Sequence, residues 1–356
     1  MAGPACTTPR CSLSPAAALS LVGTLLLAGC GSPDSPAPTG SSTRTAAQSS
    51  TPAPTITRAR DLPQLEGVKV FDLDAPEGAG AAVVDDDVIR VDLEEDLITV
   101  DPVSGKVLTR VKAPTGPFMA PDGRWLWASD FGKSTTYRLN PDTGAVAQTI
   151  TAVDKPEGVL IADGSLWVAN HHGGSVDRLD RATGAVLATI VVGPEGPAGP
   201  QTLVADERYL YVTVPNINTL VRIDMSNNSV AGSVKIPPPA VPCGRMTLDG
   251  KAVWVSSCAS SPTVARVDFA AGSAVVSQQL GGYVGVGVVS DGTTWLPVAR
   301  EDGEARLTAF DDSAQVVAEY GIPAGGIDGA VGLDALWIPA PDGQLVKVPL
   351  TSIPKL

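Results

Sequence analysis

The chain has 356 residues and a formal net charge of −13, from 38 acidic and 25 basic side chains. No run of lysine and arginine interrupts this acidic balance. Nucleic-acid binding is therefore excluded as a reading, because phosphate backbones repel such a surface.

In chain order the first signal is an export leader. Arg10 is followed by an uncharged apolar stretch, Ala16–Ala28, too short to cross a bilayer core as a helix and suited to the h-region of a secretory signal. It ends in Leu27-Ala28-Gly29-Cys30, which resembles a bacterial lipobox. That resemblance implies cleavage before Cys30, a diacylglyceryl group on its thiol, and a protein anchored in the cell membrane and facing outside the cytoplasm. The next segment, GSPDSPAPTGSSTRTAAQSSTPAPTITRAR, lacks the apolar surface to offset chain entropy and is expected to be a disordered tether. The expected organisation is residues 1–29 as leader, 30–62 as lipidated cysteine and tether, and 63–356 as one folded head. Membrane contact is expected through the lipid anchor only.

The head is periodic. Trp127, Trp167, Tyr211, Trp254, Trp295 and Trp337 lie 40, 44, 43, 41 and 42 residues apart, each inside a short apolar run. A period of this length built from short strands predicts a β-propeller. The clearest unit, Pro156 to Gly193, reads as strands at 157–162, 165–170, 175–180 and 185–192. Asp163-Gly164 marks its first hairpin, and Asp180 opens the turn after its third strand. An earlier degenerate unit places Arg90 in the aromatic slot, which makes seven units. The last has three clear strands, while Gly67–Pro76 is a strand without a unit. The fold expected is all-β: a seven-bladed propeller whose last blade is closed by the N-terminal strand, leaving no open edge. The recurrent aromatics are read as blade-to-blade packing. The basic series Arg138, Arg178, Arg222, Arg266 and Lys347 is read as pairing with carboxylates between blades.

The repeat carries a family resemblance. Leu166-Trp167-Val168-Ala169-Asn170, Gly174-Ser175-Val176, Leu179-Asp180 and Thr183-Gly184-Ala185-Val186 resemble the repeats of YVTN-type propellers, over roughly residues 67–350. The superfamily includes binding modules, lactonases and lyases, so the resemblance implies fold more than activity. The repeat pattern is also similar to that of streptogramin B lyases, whose chemistry uses a histidine base, a Glu-x-His pair and magnesium. This chain has two histidines, His171 and His172, in one loop, and no Glu-x-His. Gluconolactonase-like propellers hold a divalent cation with oxygen ligands, and Glu77, Asp130, Glu157, Asn170 and Asn216 fall in loops of the corresponding face. Calcium or magnesium would suit such ligands; the primary expectation is no cofactor.

The loops entering inner strands and those joining second to third strands share one face. Asp130, Glu157, Asn170, His171, His172, Asn216 and Arg300 belong to it, as candidate ligand-binding residues on a rigid scaffold. The adjacent histidines beside Gly173-Gly174 read as a polar turn, or as a pair able to ligate metal or titrate near neutral pH. No phosphate loop, nucleophile elbow or zinc-type spacing occurs, and no catalytic residue is assigned. In an exported head Cys243 and Cys258 are expected to form a disulfide. If Gly250-Lys251 is the intervening loop they face each other; if Asp249-Gly250 is, they lie diagonally. The function expected is a monomeric binding or scaffolding module for a protein or cell-envelope ligand. The alternative is a cation-dependent lyase or lactonase.

Overall fold

A computed structural model describes residues 58–356, apart from Glu94, Ala152, residues 259–261 and Glu301. The leader, Cys30 and most of the tether lie outside these residues. The head is a seven-bladed β-propeller of antiparallel blades. Blade 3 holds Pro156–Ala162, Ser165–Asn170, Ser175–Leu179 and Val186–Val191 from the channel outward. Blade 6 differs in its inner strand, which is split into Tyr283–Val284 and Val288–Ser290 along one neighbour.

Blade 7 takes Ala330–Gly332, Ala335–Pro339 and Gln344–Pro349 from the C-terminal end and its outer strand, Lys69–Asp72, from the N-terminal end. Lys69 stands opposite Lys347 and Phe71 opposite Leu345. The head begins earlier than composition predicts. Residues 58–62, expected in the tether, include the single turn Ala59–Asp61, whose Ala59 N–H donates to the Glu304 carboxylate at 3.2 Å. Leu65, only 9% exposed, joins the core of blades 6 and 7 and holds this polar segment down.

The aromatic slot packs blades together, as its period implies. Trp127 shares a buried cluster with Val159, Leu166, Val168 and Leu179 of blade 3, and Trp337 with Ile89, Val91, Ile98 and Val100 of blade 1. Five of the six aromatics also have a polar partner five residues earlier, whereas Trp295 Nε1 is buried without one among the described residues. Trp127 and Trp254 donate to Asp122 and Asp249 at 3.2 and 2.8 Å, and the Tyr211 hydroxyl donates to Asp206 at 2.8 Å. Blade 1 keeps this relation without an aromatic: Arg90 Nε donates to Asp85, also five residues earlier, at 3.0 Å.

The basic series sits directly across the strand pair from the aromatics, as Trp127 opposite Arg138, Trp167 opposite Arg178 and Trp337 opposite Lys347. Its partners bear out the expectation of carboxylates between blades at Arg266, which pairs with Asp312 of blade 6 at 3.2 Å, while Arg178 pairs with Asp163 of its own blade at 2.8 Å. The heads also stack on rings, 5.2 Å for Arg178 over Trp167 and 4.8 Å for Lys347 over Trp337, and Arg138, Arg178 and Lys347 donate to turn carbonyls of the next blade. Arg178 reaches Met225 O at 2.8 Å and Lys347 reaches Pro102 O at 2.8 Å. The reason is geometric. In blades 1, 3 and 4 the turn after the third strand brings a backbone carbonyl to the basic head of the preceding blade. At Gly144 a Cβ would stand 2.0 Å from Lys112 O of blade 1.

Candidate functional site

The central channel is bridged by one side chain. In the inner strand of blade 5, Pro242–Leu248, the register shifts between Pro242 and Met246. Such a bulge re-aims a side chain, and here Arg245 reaches across the channel. Its Nε pairs with Asp328 of blade 7, its Nη2 donates to Pro117 O of blade 2 at 2.8 Å, and its guanidinium lies 4.4 Å over the Phe118 ring. A residual cavity of about 160 Å³ remains beside it, lined by residues in or next to the inner strands of all seven blades. The bulge needs Gly244, where a Cβ would meet Ser256 Oγ at 2.3 Å. It is held by Ser256 Oγ donating to Arg245 O at 2.9 Å and Thr202 Oγ1 donating to Gly244 O at 3.0 Å.

The neighbouring hairpin adopts the Gly250-Lys251 loop, with Leu248 opposite Val253 and Thr247 opposite Trp254. That register does not reach the cysteines, because the bulge leaves Pro242 opposite Ser257; Cys243 and Cys258 nonetheless meet with Cα atoms 5.5 Å apart, inside the span a disulfide requires.

The loop face above the channel is knotted around His171, which is only 6% exposed. Ala198 N–H donates to His171 Nε2 at 2.9 Å, so Nε2 is the acceptor and the ring proton belongs on Nδ1. Nδ1 lies 3.5 Å from Glu157 Oε2 and has no closer partner. The His171 N–H donates to Lys155 O at 3.1 Å. Lys155 and Ala198, the two residues joined to His171, both hold left-handed backbone at φ +52° and +59°. Non-glycine residues rarely adopt this region, and where they do the surroundings must enforce it.

Phe131 rests on the knot. It is 40% exposed, its ring lies edge-on to His171 and His172 at 5.5 and 5.7 Å, and Lys155 Nζ sits 5.3 Å over its face. Beside it an open cleft of about 580 Å³ runs between blades 1 and 2, walled by Pro114, Thr115, Pro117, Asp130, Phe131 and the Lys112 and Lys133 stems. Burial would raise the Asp130 carboxyl, but the Lys133 ammonium and N–H outweigh it and hold the group below the usual carboxylate range.

Of the residues singled out in the sequence, Asp130, Glu157, His171 and His172 come together here. Asn170 lies beneath them, 4% exposed, its amide donating to Ser175 Oγ and Asp177 Oδ2 at 3.2 and 2.7 Å. Asn216 joins through the Pro194–Ala198 loop, its N–H donating to Ala198 O at 2.6 Å. Arg300 stands apart on blade 6, paired with Asp302 at 3.3 Å. Glu77 is engaged with Arg110 at 3.4 Å. The oxygen-bearing side chains named as possible cation ligands are thus spread over separate contacts. Among the described residues no group of three or more His, Cys, Asp or Glu is placed to hold an ion. Arg245 escapes a reading from sequence, since nothing local distinguishes a bulge arginine from its neighbours.

No family model matches the chain, and no curated protein does. Solved structures do match in shape. BamB from Moraxella catarrhalis aligns at 17% identity over 75% of this chain and 84% of that one, with a TM-score of 0.54. U3-55K aligns at 14% identity over 81% and 99%, with a TM-score of 0.65. Hydrazine synthase of Kuenenia stuttgartiensis aligns at 15% identity over 78% and 97%, with a TM-score of 0.61. Relatives this remote in sequence and this varied in role establish the propeller fold and nothing finer.

Proposed function

We propose that this chain is an exported, lipid-anchored propeller that binds a protein or cell-envelope ligand through the loop face around Phe131. The observation that supports this most is the exposed Phe131 ring, set against two histidines beside a cleft of about 580 Å³. A rigidly held aromatic flanked by a hollow is the usual form of an interface anchor. A scaffolding role fits BamB-like and WD40 neighbours by analogy alone. The lyase or lactonase alternative is less well supported. The lone pair a histidine base would use, on His171 Nε2, is already taken by Ala198 N–H, and the Arg245 guanidinium opposes a divalent cation in the channel.

A photo-crosslinking residue at position 131 of the full chain, expressed in its own membrane, tests this reading. Position 131 is expected to yield a discrete adduct that the same residue at Arg124, on the opposite face, does not. Equal adducts at both positions, or none, overturn the assignment. The anchor is tested separately: Cys30→Ser is expected to abolish incorporation of labelled fatty acid and to release the protein from its membrane.

A further inference from the structure

The basic residue of the third strand, and Arg90 in blade 1, repeat a single interaction round the ring. Arg90 pairs with Asp142 at 2.8 Å, Arg138 donates to Ala182 O at 3.4 Å, and Arg178 reaches Met225 O and Asn228 Oδ1. Arg266 pairs with Asp312 at 3.2 Å and Lys347 donates to Pro102 O. Every one of these partners lies in the turn after the third strand of the following blade.

Blade 6 has Ala309 at this position, and Arg222 of blade 4, which keeps the basic residue, departs from the pattern. Among the described residues no hydrogen bond joins it to the blade 5 turn. That turn offers Phe269 instead, whose ring lies 4.7 Å from the guanidinium on one side, with Tyr209 at 4.3 Å. Among the described residues Arg222 Nε is buried without a hydrogen-bond partner, as are Arg138 and Arg266 Nε, but the heads of those two are still held by the next blade's turn. Where the other blades place a turn carbonyl or carboxylate, a cavity of about 220 Å³ remains, lined by Arg222, Asp206, Tyr211, Lys251, Phe269 and Ala270.

We propose that this cavity between blades 4 and 5, on the face opposite Phe131, is a carboxylate-binding site with Arg222 as its fork. A guanidinium held against two rings and the Tyr211 hydroxyl has already lost much of its rotamer freedom, and its planar donors match a carboxylate two at a time. The charges select the ligand. Asp206 is committed, accepting from Tyr211 Oη at 2.8 Å, Tyr209 N–H at 2.6 Å and Arg208 N–H at 2.8 Å. Its charge cancels one of the two cations, Arg222 and Lys251, so a single negative charge balances the site and a dianion overfills it. The volume admits a carboxylate on a short stem and excludes a nucleotide-sized ligand. A free short-chain acid and an acidic side chain of a bound segment share this chemistry.

The test is a titration of the isotope-labelled full chain in detergent, followed at the backbone amides of Lys251 and Ala270 at constant ionic strength. Propionate represents the free acid and the blocked peptide acetyl-Gly-Glu-Gly-amide the acidic segment; inorganic phosphate is the dianionic probe. Saturable shifts are expected with both carboxylates, and the one saturating at lower concentration identifies the source. Arg222→Gln is expected to weaken binding at least about tenfold, the worth of a lost charge-assisted pair. If that variant fails to fold, Arg222→Lys, which keeps the charge and loses the fork, carries the same expectation. The proposal is overturned by an absence of saturable shifts, by shifts that survive both Arg222 variants, or by phosphate saturating first.

Discussion

At the scale of single residues the repeat is a rule about position five before the aromatic. Arg90 obeys it without being aromatic, which is why blade 1 reads as degenerate in sequence yet packs as a full member. The slot is legible from the period alone; its partner Asp85 is not, because the pairing of a hairpin acid with the slot residue emerges only when the two strands are superposed. Arg90 and Asp85 are 6% and 4% exposed. Burial raises the Asp85 carboxyl above its ordinary value, with the Arg90 bond and charge acting against that rise. Arg90→Ala would leave a buried carboxylate without its cation, and a loss of about 3–5 kcal/mol is expected in denaturant unfolding at neutral pH. The sign of its pH dependence follows. A carboxyl whose folded value lies above its unfolded one binds its proton more tightly when folded, so stability falls as pH rises through that interval. The variant is therefore expected to regain part of its loss near pH ~4, where the unfolded carboxyl titrates. A loss independent of pH would show that Asp85 is not the group left behind.

At the scale of elements, hairpins and turns divide sharply in how well sequence announces them. Asp163-Gly164 and Asp291-Gly292 hold positive φ at both residues, as their composition predicts. Blade 7 makes the same kind of turn with Leu333 and Asp334 at φ +51° and +56°, which no turn rule would select. Leu333 is 36% exposed and contributes little burial there. Leu333→Asn is expected to raise stability by about 0.5–1 kcal/mol, seen as a higher melting temperature. The Gly244 bulge is equally silent in sequence, since it exists only against Ser256 and Thr202. The turns after third strands behave differently, because one Asx residue builds each. Asp180 is held below the usual carboxylate range by the Thr183 hydroxyl and N–H, and Asp101 likewise by Ser104. Such groups stabilise the fold above their unfolded pKa, about 3.9, and that contribution is lost as pH falls toward the folded values. Asn140 accepts the same N–H bonds in blade 2 at 2.9 and 3.0 Å without a charge. Asp180→Asn is accordingly expected to keep neutral-pH stability while flattening part of the decline below about pH 4, measured by melting across an acid series.

At the scale of the whole molecule the ring is closed by four residues from the other end of the chain. This closure is legible in sequence from two complementary irregularities, a strand without a unit at the start and a unit short of a strand at the end. Phe71 is where it is secured. Its ring stacks on Trp337 of blade 7 at 6.4 Å and 24°, and a Cβ at Gly105 of blade 1 would stand 1.9 Å from the ring. One side chain therefore touches its own strand, the last blade and the first. Phe71→Ala is expected to cost about 2–4 kcal/mol, since the ring leaves a hollow between two blades that cannot slide together without breaking the circle. Where that cost appears distinguishes a closed ring from a stack of neighbours. In an open array each repeat answers chiefly to its neighbours, and damage at one end lowers protection there alone. In a closed ring every blade has two neighbours, so parting the seam exposes blades 1 and 7 together. Native-state hydrogen exchange is expected to quicken jointly at Ile98 and Val346, far apart in sequence: Ile98 is buried in the core that spans the seam, and Val346, buried between blades 6 and 7, stands opposite Val70 of the closing strand. Amides of blade 3, such as Val176, should exchange as before until global unfolding. Quickening at Val346 without Ile98 would mean that the strand merely frays, and that blade 1 is held by the rest of the ring.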